Sequence, residues 1–71
     1  MIIRSQDKKK IAIFDKAKAT ENGEVFINGA FFGNYPTEEK AIKVLDMIED
    51  ACRNMAFTDG IVFRMPQDCE V

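Results

Sequence analysis

The stretch EVFINGAFF at residues 24–32 decides the fold of this chain. Its central Asn28-Gly29 pair tolerates the positive φ angles of a two-residue turn, and apolar residues of high strand propensity lie on both sides. The stretch therefore predicts a β-hairpin. Successive side chains of a strand point to opposite faces of a sheet, so one of the neighbouring Phe31 and Phe32 must face away from any layer that covers the sheet.

Outward from the hairpin, residues 2–4, 10–15 and 61–65 have the composition of short strands bounded by turn-forming residues. Residues 16–21 either extend the second strand or loop out. Gly33 indicates either a bulge or a site where another group approaches the backbone closely. The element order is therefore β-β-β-β-α-β, with the position of the last strand in the sheet left open.

One amphipathic helix is predicted over residues 37–56. Thr37 is a good N-cap, and acidic residues follow it in the first turn, where the helix dipole favours negative charge. Apolar side chains recur at three- and four-residue spacing in one stripe, which Ile42 and Met47 widen on opposite sides. We therefore predict a single α+β domain over residues 1–71, a small antiparallel sheet of four to five strands with the helix packed on one face.

The uncovered face of this sheet predicts a partner. Three runs, at residues 11–14, 25–27 and 61–63, are apolar on both faces, yet only one helix is long enough to cover a sheet. Exposed apolar area of this kind marks an interaction surface, and we expect a second copy of the chain there, in a homo-oligomer. The expected interface residues are Phe14, Phe26, Phe31, Phe32, Ile42 and Met47.

Composition argues against several classes of function. The 71 residues carry a net charge of −2, which disfavours a protein that coats duplex nucleic acid or an anionic membrane. Histidine is absent, so the commonest general base and metal ligand is missing, and Cys52 and Cys69 form no CxxC pair. We therefore expect no enzyme, no metal and no cofactor. The N-terminus lacks the apolar stretch of a signal peptide, and no later run has the length of a membrane span, which predicts a cytosolic location.

Arginines are the best candidates for ligand contacts. Their guanidinium forks suit phosphate or carboxylate, which favours Arg4, Arg53 and Arg64, with a surface ion pair as the alternative role for the last two. Tyr35 is expected to stack on the ligand or to donate a hydrogen bond to it. The lysine run at residues 8–10 forms either a phosphate-attracting edge or a solvated turn that protects an edge strand. Aromatic residues on the strands either stack on bases or belong to the core or a subunit interface.

Several short motifs resemble those of a known group of proteins. RSQD at residues 4–7 and FGNY at 32–35, which leads into TEEKA at 37–41 and VLDMI at 44–48, resemble small uncharacterised accessory proteins of phages and prophages of Gram-positive bacteria. The resemblance transfers no catalytic residue. It implies action against host defence, in the cytosol of a host bacterium.

We therefore predict a non-enzymatic, oligomeric binding module that sequesters a small anionic, nucleotide-like immune signal. The alternative is a protein-interaction module that inhibits a host defence protein such as a nuclease. Such a module would use the apolar sheet face or the acidic face of the helix, since an acidic surface can mimic nucleic acid.

Overall fold

The computed structural model describes residues 1–54 and 62–71 and confirms the α+β fold. Within these residues, six strands and one long helix follow each other along the chain. Their bounds are β1 Ile2–Arg4, β2 Ile11–Ile13, β3 Ala17–Ala19, β4 Glu24–Ile27, β5 Ala30–Asn34, α1 Glu38–Asn54 and β6 Val62–Arg64, and a short 3-10 helix spans Asp68–Glu70. The predicted helix end at residue 56 and the predicted start of the last strand at Ile61 lie outside the described residues.

The described strands form two three-stranded sheets, where we predicted one antiparallel sheet of four to five strands. Sheet 1 has the order β2-β1-β6 and sheet 2 has the order β3-β4-β5. β3 is the additional strand, and it settles the open question of residues 16–21 because it pairs with β4. β6 runs parallel to β1, which requires a long crossover connection, and the segment that contains α1 provides it.

The predicted hairpin is confirmed in β4 and β5. Asn28 and Gly29 have φ angles of 53° and 84°, as expected for a turn that matches the twist of paired strands. The side chain of Asn28 also holds the preceding connection in place. Its Oδ1 accepts hydrogen bonds from the amides of Asp15 (2.9 Å) and Lys16 (3.1 Å), and its Nδ2 donates to the carbonyl oxygen of Ile13 (2.7 Å). The turn thus fixes the connection between β2 of sheet 1 and β3 of sheet 2.

The structure distinguishes the two adjacent phenylalanines of β5. Phe31 is 41% exposed, whereas Phe32 is 4% exposed and belongs to the core. Phe32 is therefore wrongly placed among the expected interface residues, because its side chain packs inside the chain itself. Phe31 is the outward residue. It pairs with Phe26 beside a register shift in β4 and β5, so the bulge expected near Gly33 is present.

The core lies between α1 and the two sheets, and α1 packs mainly against β3 and β4. The helix begins as predicted, since the Thr37 hydroxyl accepts a hydrogen bond from the amide of Lys40 (3.2 Å). Cys52 lies on the exposed side. Within residues 1–54 and 62–71, no helix has the length and apolar character needed to cross a membrane. The buried apolar residues are Ile3, Val25, Ile27, Phe32, Tyr35, Ala41, Val44, Ile48 and Met65.

Tyr35 is a core residue, so the expectation that it stacks on a ligand is wrong. Its side chain is 2% exposed, and its hydroxyl donates a hydrogen bond of 2.7 Å to the carbonyl oxygen of Pro66. Burial, aided by the negative charges of Asp68 and Glu70, raises the pKa of this hydroxyl above its ordinary value. The hydroxyl therefore stays protonated and ties the end of β5 to the C-terminal segment.

Gln6 joins three segments through its backbone and side chain. Its amide donates to the Phe32 carbonyl oxygen (2.8 Å), and its Oε1 accepts from the amide of Asn34 (2.9 Å), which connects the end of β1 to β5. Its Nε2 donates to Asp68 (2.8 Å), and its carbonyl oxygen accepts from the side chain of Gln67 (2.9 Å). Sheet 1, sheet 2 and the C-terminal segment are thereby held in one arrangement.

Two glycines offer a matched test of this packing. Gly23 and Gly29 have the same φ of 84°, but a Cβ on Gly23 would overlap the carbonyl oxygen of Tyr35, whereas a Cβ on Gly29 would have nothing within 4 Å. We expect Gly29→Ala to lower the free energy of unfolding by about 1–2 kcal/mol, the cost of a left-handed backbone. Gly23→Ala should cost about 1–3 kcal/mol more, because steric overlap is added. Urea denaturation measures both, and equal losses would contradict the close approach of residues 23 and 35.

The pKa shift of Tyr35 predicts a specific pH dependence. The pKa of Tyr35 is higher in the folded state than in the unfolded state, so the protonated hydroxyl stabilises the fold. This contribution to the free energy of unfolding is complete below the unfolded pKa of about 10 and is lost as pH rises above it. Tyr35 is the only tyrosine and the chain has no tryptophan, so ultraviolet absorbance of tyrosinate reports this residue alone. We expect tyrosinate to appear only together with the loss of circular dichroism at alkaline pH. Ionisation at the ordinary pKa in a protein that remains folded would contradict the buried hydrogen bond.

Candidate anion-binding site

The pairing of β1 with β6 places two arginines side by side. Arg4 and Arg64 are register partners in this parallel pair, so their side chains leave the same face of sheet 1 from strands about 4.8 Å apart. Within residues 1–54 and 62–71, the one ion pair joins Arg53 to Glu49, and neither Arg4 nor Arg64 has a carboxylate within 4.0 Å. Two like charges are thus adjacent without a described counter-charge.

The guanidinium of Arg4 is held in a defined position. Its Nε and Nη2 donate to the carbonyl oxygen of Lys8 at 3.1 and 2.9 Å. Lys8 has a φ of 66°, an unusual left-handed conformation for a residue with a side chain. One edge of the guanidinium is therefore used by the protein, while Nη1 donates to none of the residues that the structure describes. A guanidinium held in this way would lose less conformational entropy on contact with an anion.

Ser5 and Asp7 brace the loop that carries Lys8. Ser5 is buried, and its hydroxyl donates to a carboxylate oxygen of Asp7 (2.5 Å) and accepts from the amide of Lys10 (3.0 Å). The Asp7 carboxylate also accepts from the amide of Lys9 (2.9 Å). The hydrogen bond from Ser5, followed by that from Lys9, lowers the pKa of Asp7 below its ordinary value. Asp7 thus acts as a charged hydrogen-bond acceptor within the loop, and Ser5 has a structural role.

Two adjoining depressions lie beside these cations. One, of about 280 Å³, is lined by Arg4, Ser5, Lys8, Arg64 and Met65. The second, of about 680 Å³, shares three of those residues and continues along Met47 and the C-terminal segment. Its volume falls in the range of roughly 300–1,000 Å³ that holds small-molecule ligands. The lining thus combines the cations Lys8 and Arg64 with the apolar Met47 and with a C-terminal segment that includes the carboxylate of Glu70. The second depression is lined by Lys8, Met47, Arg64, Met65, Pro66, Gln67, Cys69 and Glu70.

The charges of the chain are segregated despite the small net value. The first 20 residues contain six Lys or Arg and two Asp or Glu, whereas the rest of the chain contains four Lys or Arg and ten Asp or Glu. The N-terminal part, which supplies β1, β2, β3 and the lysine loop, therefore has a net charge of +4. Most of the acidic residues lie on α1 and in the C-terminal segment. A local basic surface is thus compatible with a net charge of −2.

The predicted ligand-binding residues do not all meet. Arg4 and Arg64 come together, but Arg53 lies on the exposed side of α1, where it forms an ion pair with Glu49 at 3.3 Å. Tyr35 is buried in the core. The sequence did not indicate that the carbonyl oxygen of Lys8 accepts hydrogen bonds from Arg4, or that Met47 lines the groove. The high charge of the first 20 residues was a signal for the basic surface, but the register of β6 was not readable from the sequence.

The expected interface residues other than Phe32 retain exposed surface. Phe14 and Phe26 are partly buried, and Phe31, Ile42 and Met47 are exposed. On sheet 1, Ile11, Ile13 and Val62 are exposed as well, and Ile13 reaches 78%. The apolar outer face that the sequence indicates is therefore present. Association of two copies through this face stays a prediction.

The described residues contain no group of three potential metal ligands. Cys52 and Cys69 are both exposed and free. Comparisons with protein-family models, with curated proteins and with solved structures find no match to this chain. Function is therefore inferred from the geometry of the site.

Proposed function

We propose that this protein is a non-enzymatic binding module that captures a nucleotide-like anion at the Arg4–Arg64 site. The observation that carries the proposal is the register pairing of Arg4 with Arg64, without a described carboxylate partner, at the mouth of a groove. Two planar guanidinium forks can bind one phosphate group from adjacent directions. Lys8 adds positive charge at the same end of the groove.

The remainder of the groove suits the less polar part of such a ligand. Met47 supplies exposed apolar surface in the groove, and the buried Met65 and Pro66 line it next to Arg64. Methionine adapts its shape to flat aromatic groups and makes favourable sulfur–aromatic contacts. A ligand that combines phosphate with a base matches this combination better than a simple inorganic anion, because it occupies both ends.

Capture without turnover follows from the chemistry of these side chains. Arginine does not give up its proton in proteins, so Arg4 and Arg64 bind and orient but do not act as bases. The chain contains no histidine to take that role. We therefore propose sequestration in the cytosol as the activity, with a nucleotide immune signal of a host bacterium as the ligand class that the resemblance to phage accessory proteins suggests. Homo-oligomerisation, which the sequence predicts, is also part of this proposal.

The acidic face of α1 favours a second candidate function. Glu38, Glu39, Asp46, Glu49 and Asp50 are all exposed, and Ile42 offers apolar surface on the same helix. This surface is a candidate for contact with a host defence protein that normally binds nucleic acid. Charge reversal at Asp46 and Asp50 would abolish such a complex and leave nucleotide capture unchanged.

Isothermal titration calorimetry tests the proposed capture with AMP, ADP-ribose and a cyclic dinucleotide as probes. We expect saturable binding to at least one probe and a loss of about 1.5–3 kcal/mol, roughly tenfold to a hundredfold in affinity, in Arg64→Gln. Arg53→Gln is the matched control because it removes an exposed arginine that lines neither depression, and its affinity should equal that of the wild type. Absence of binding to the whole panel, or equal affinity in both variants, would contradict the proposal.

A further inference from the structure

A second basic surface lies on the outer face of sheet 2. Phe26 and Phe31 pack edge to face there, with ring centroids 5.9 Å apart and an angle of 77° between the ring planes. Lys18 lies over the ring of Phe26 at 5.4 Å and Lys10 over the ring of Phe31 at 5.5 Å. Two exposed lysines thus flank a pair of neighbouring aromatic rings. We call these four residues the Phe26–Phe31 platform.

A depression of about 230 Å³ adjoins the platform. It is lined by Lys16, Ala17, Lys18, Phe26 and Gly29. Above Gly29, a Cβ would have nothing within 4 Å, so a ligand can approach the backbone closely. The volume is below the range of roughly 300–1,000 Å³ for small-molecule pockets, which suits one planar group better than a complete nucleotide.

We infer that the Phe26–Phe31 platform binds single-stranded nucleic acid, whose bases stack on the rings while Lys10, Lys16 and Lys18 contact the phosphates. Aromatic rings beside a positive track are the elements by which proteins hold single strands without reading sequence. Glu24 is the one acidic residue within β3, β4 and β5; it lies two positions before Phe26 and accepts a hydrogen bond from the Thr20 hydroxyl (3.3 Å). Lys10, Lys16 and Lys18 thus outnumber the carboxylates that these three strands contribute.

The lysines over the rings do not prevent stacking. An exposed cation–π pair contributes about two- to fivefold to an equilibrium, whereas stacking of one base on an aromatic side chain contributes roughly fivefold to more than a hundredfold. A base can therefore displace the Lys18 ammonium from its ring face, whereas Lys10 is held in addition by its hydrogen bond to the Phe31 carbonyl oxygen. The displaced ammonium is then close to the phosphate of the same nucleotide.

This inference extends the proposed function, because the loop that contains Lys8 connects the two surfaces. Lys8 supplies the acceptor for Arg4, and two residues later the Nζ of Lys10 donates to the carbonyl oxygen of Phe31 at 2.8 Å. A strand that stacks on the platform can therefore continue past the lysine loop toward Arg4. The platform nevertheless stands on its own geometry, and its test does not require the Arg4–Arg64 site to bind.

Fluorescence anisotropy with labelled oligothymidylates of about 4 to 16 nucleotides, the usual range of site sizes, tests the inference. We expect Phe31→Leu, which keeps an apolar side chain but removes the ring, to weaken binding about fivefold or more, and Phe31→Tyr to retain affinity. Lys10→Gln and Lys18→Gln should each reduce the slope of log affinity against log salt concentration by about 0.7. An abasic oligomer of the same length should bind more weakly and equally to wild type and Phe31→Leu.

The possible results separate the two proposals. Equal binding of oligothymidylate by wild type and Phe31→Leu, or equal binding of the abasic oligomer and oligothymidylate, overturns the platform. A third result would also overturn the platform: light scattering shows a dimer, Phe31→Leu dissociates it, and oligonucleotide binding does not change. The face would then be a subunit interface. If Arg64→Gln leaves mononucleotide binding intact while Phe31→Leu weakens the oligonucleotide complex, the platform is supported and the proposed function fails.

Discussion

The parallel pairing of β1 with β6 is the constraint on which the rest of the structure depends. It brings the first strand of the chain beside the last one and buries Ile3 completely. The Tyr35 hydroxyl and the side chain of Gln6 also hold the C-terminal segment, through hydrogen bonds to Pro66 and Asp68. Small domains bury only a limited fraction of their surface, so such long-range hydrogen bonds matter to their stability.

The same pairing creates the candidate site, because it sets Arg4 and Arg64 at equivalent positions on adjacent strands. Like charges placed side by side are unfavourable unless a counter-charge is bound. The protein holds Arg4 through a backbone carbonyl, which orients the guanidinium but does not neutralise it. An anion bound between the two guanidinium groups would relieve this repulsion. Concentration of acidic residues on α1 keeps the chain as a whole slightly negative.

Local chemistry made the hairpin, the helix start and the α+β class predictable, since Asn28-Gly29 acts through its own φ angles and Thr37 through the hydroxyl that caps the adjacent helix. Pairing between distant strands was not predictable. The division into two sheets and the parallel register of β6 depend on which apolar faces pack together after the chain crosses over, and strand composition is the same in either case. For the site, residue type favoured Arg4 and Arg64 as ligand contacts, which stays a prediction, and the structure places the two side by side. It failed for Tyr35, because an amphipathic ring suits a core hydrogen bond as well as a ligand contact.

Chemical-shift mapping of backbone amides by NMR, with ADP as the titrant, tests the central claim most directly. ADP carries both a base and phosphate groups, so it can occupy both ends of the groove. The account predicts saturable shifts concentrated at the end of β1, in the loop at residues 5–10, and in β6 through Gln67, with Met47 as the affected position on α1. Shifts confined to other parts of α1, or no shifts at saturating ADP, would contradict it.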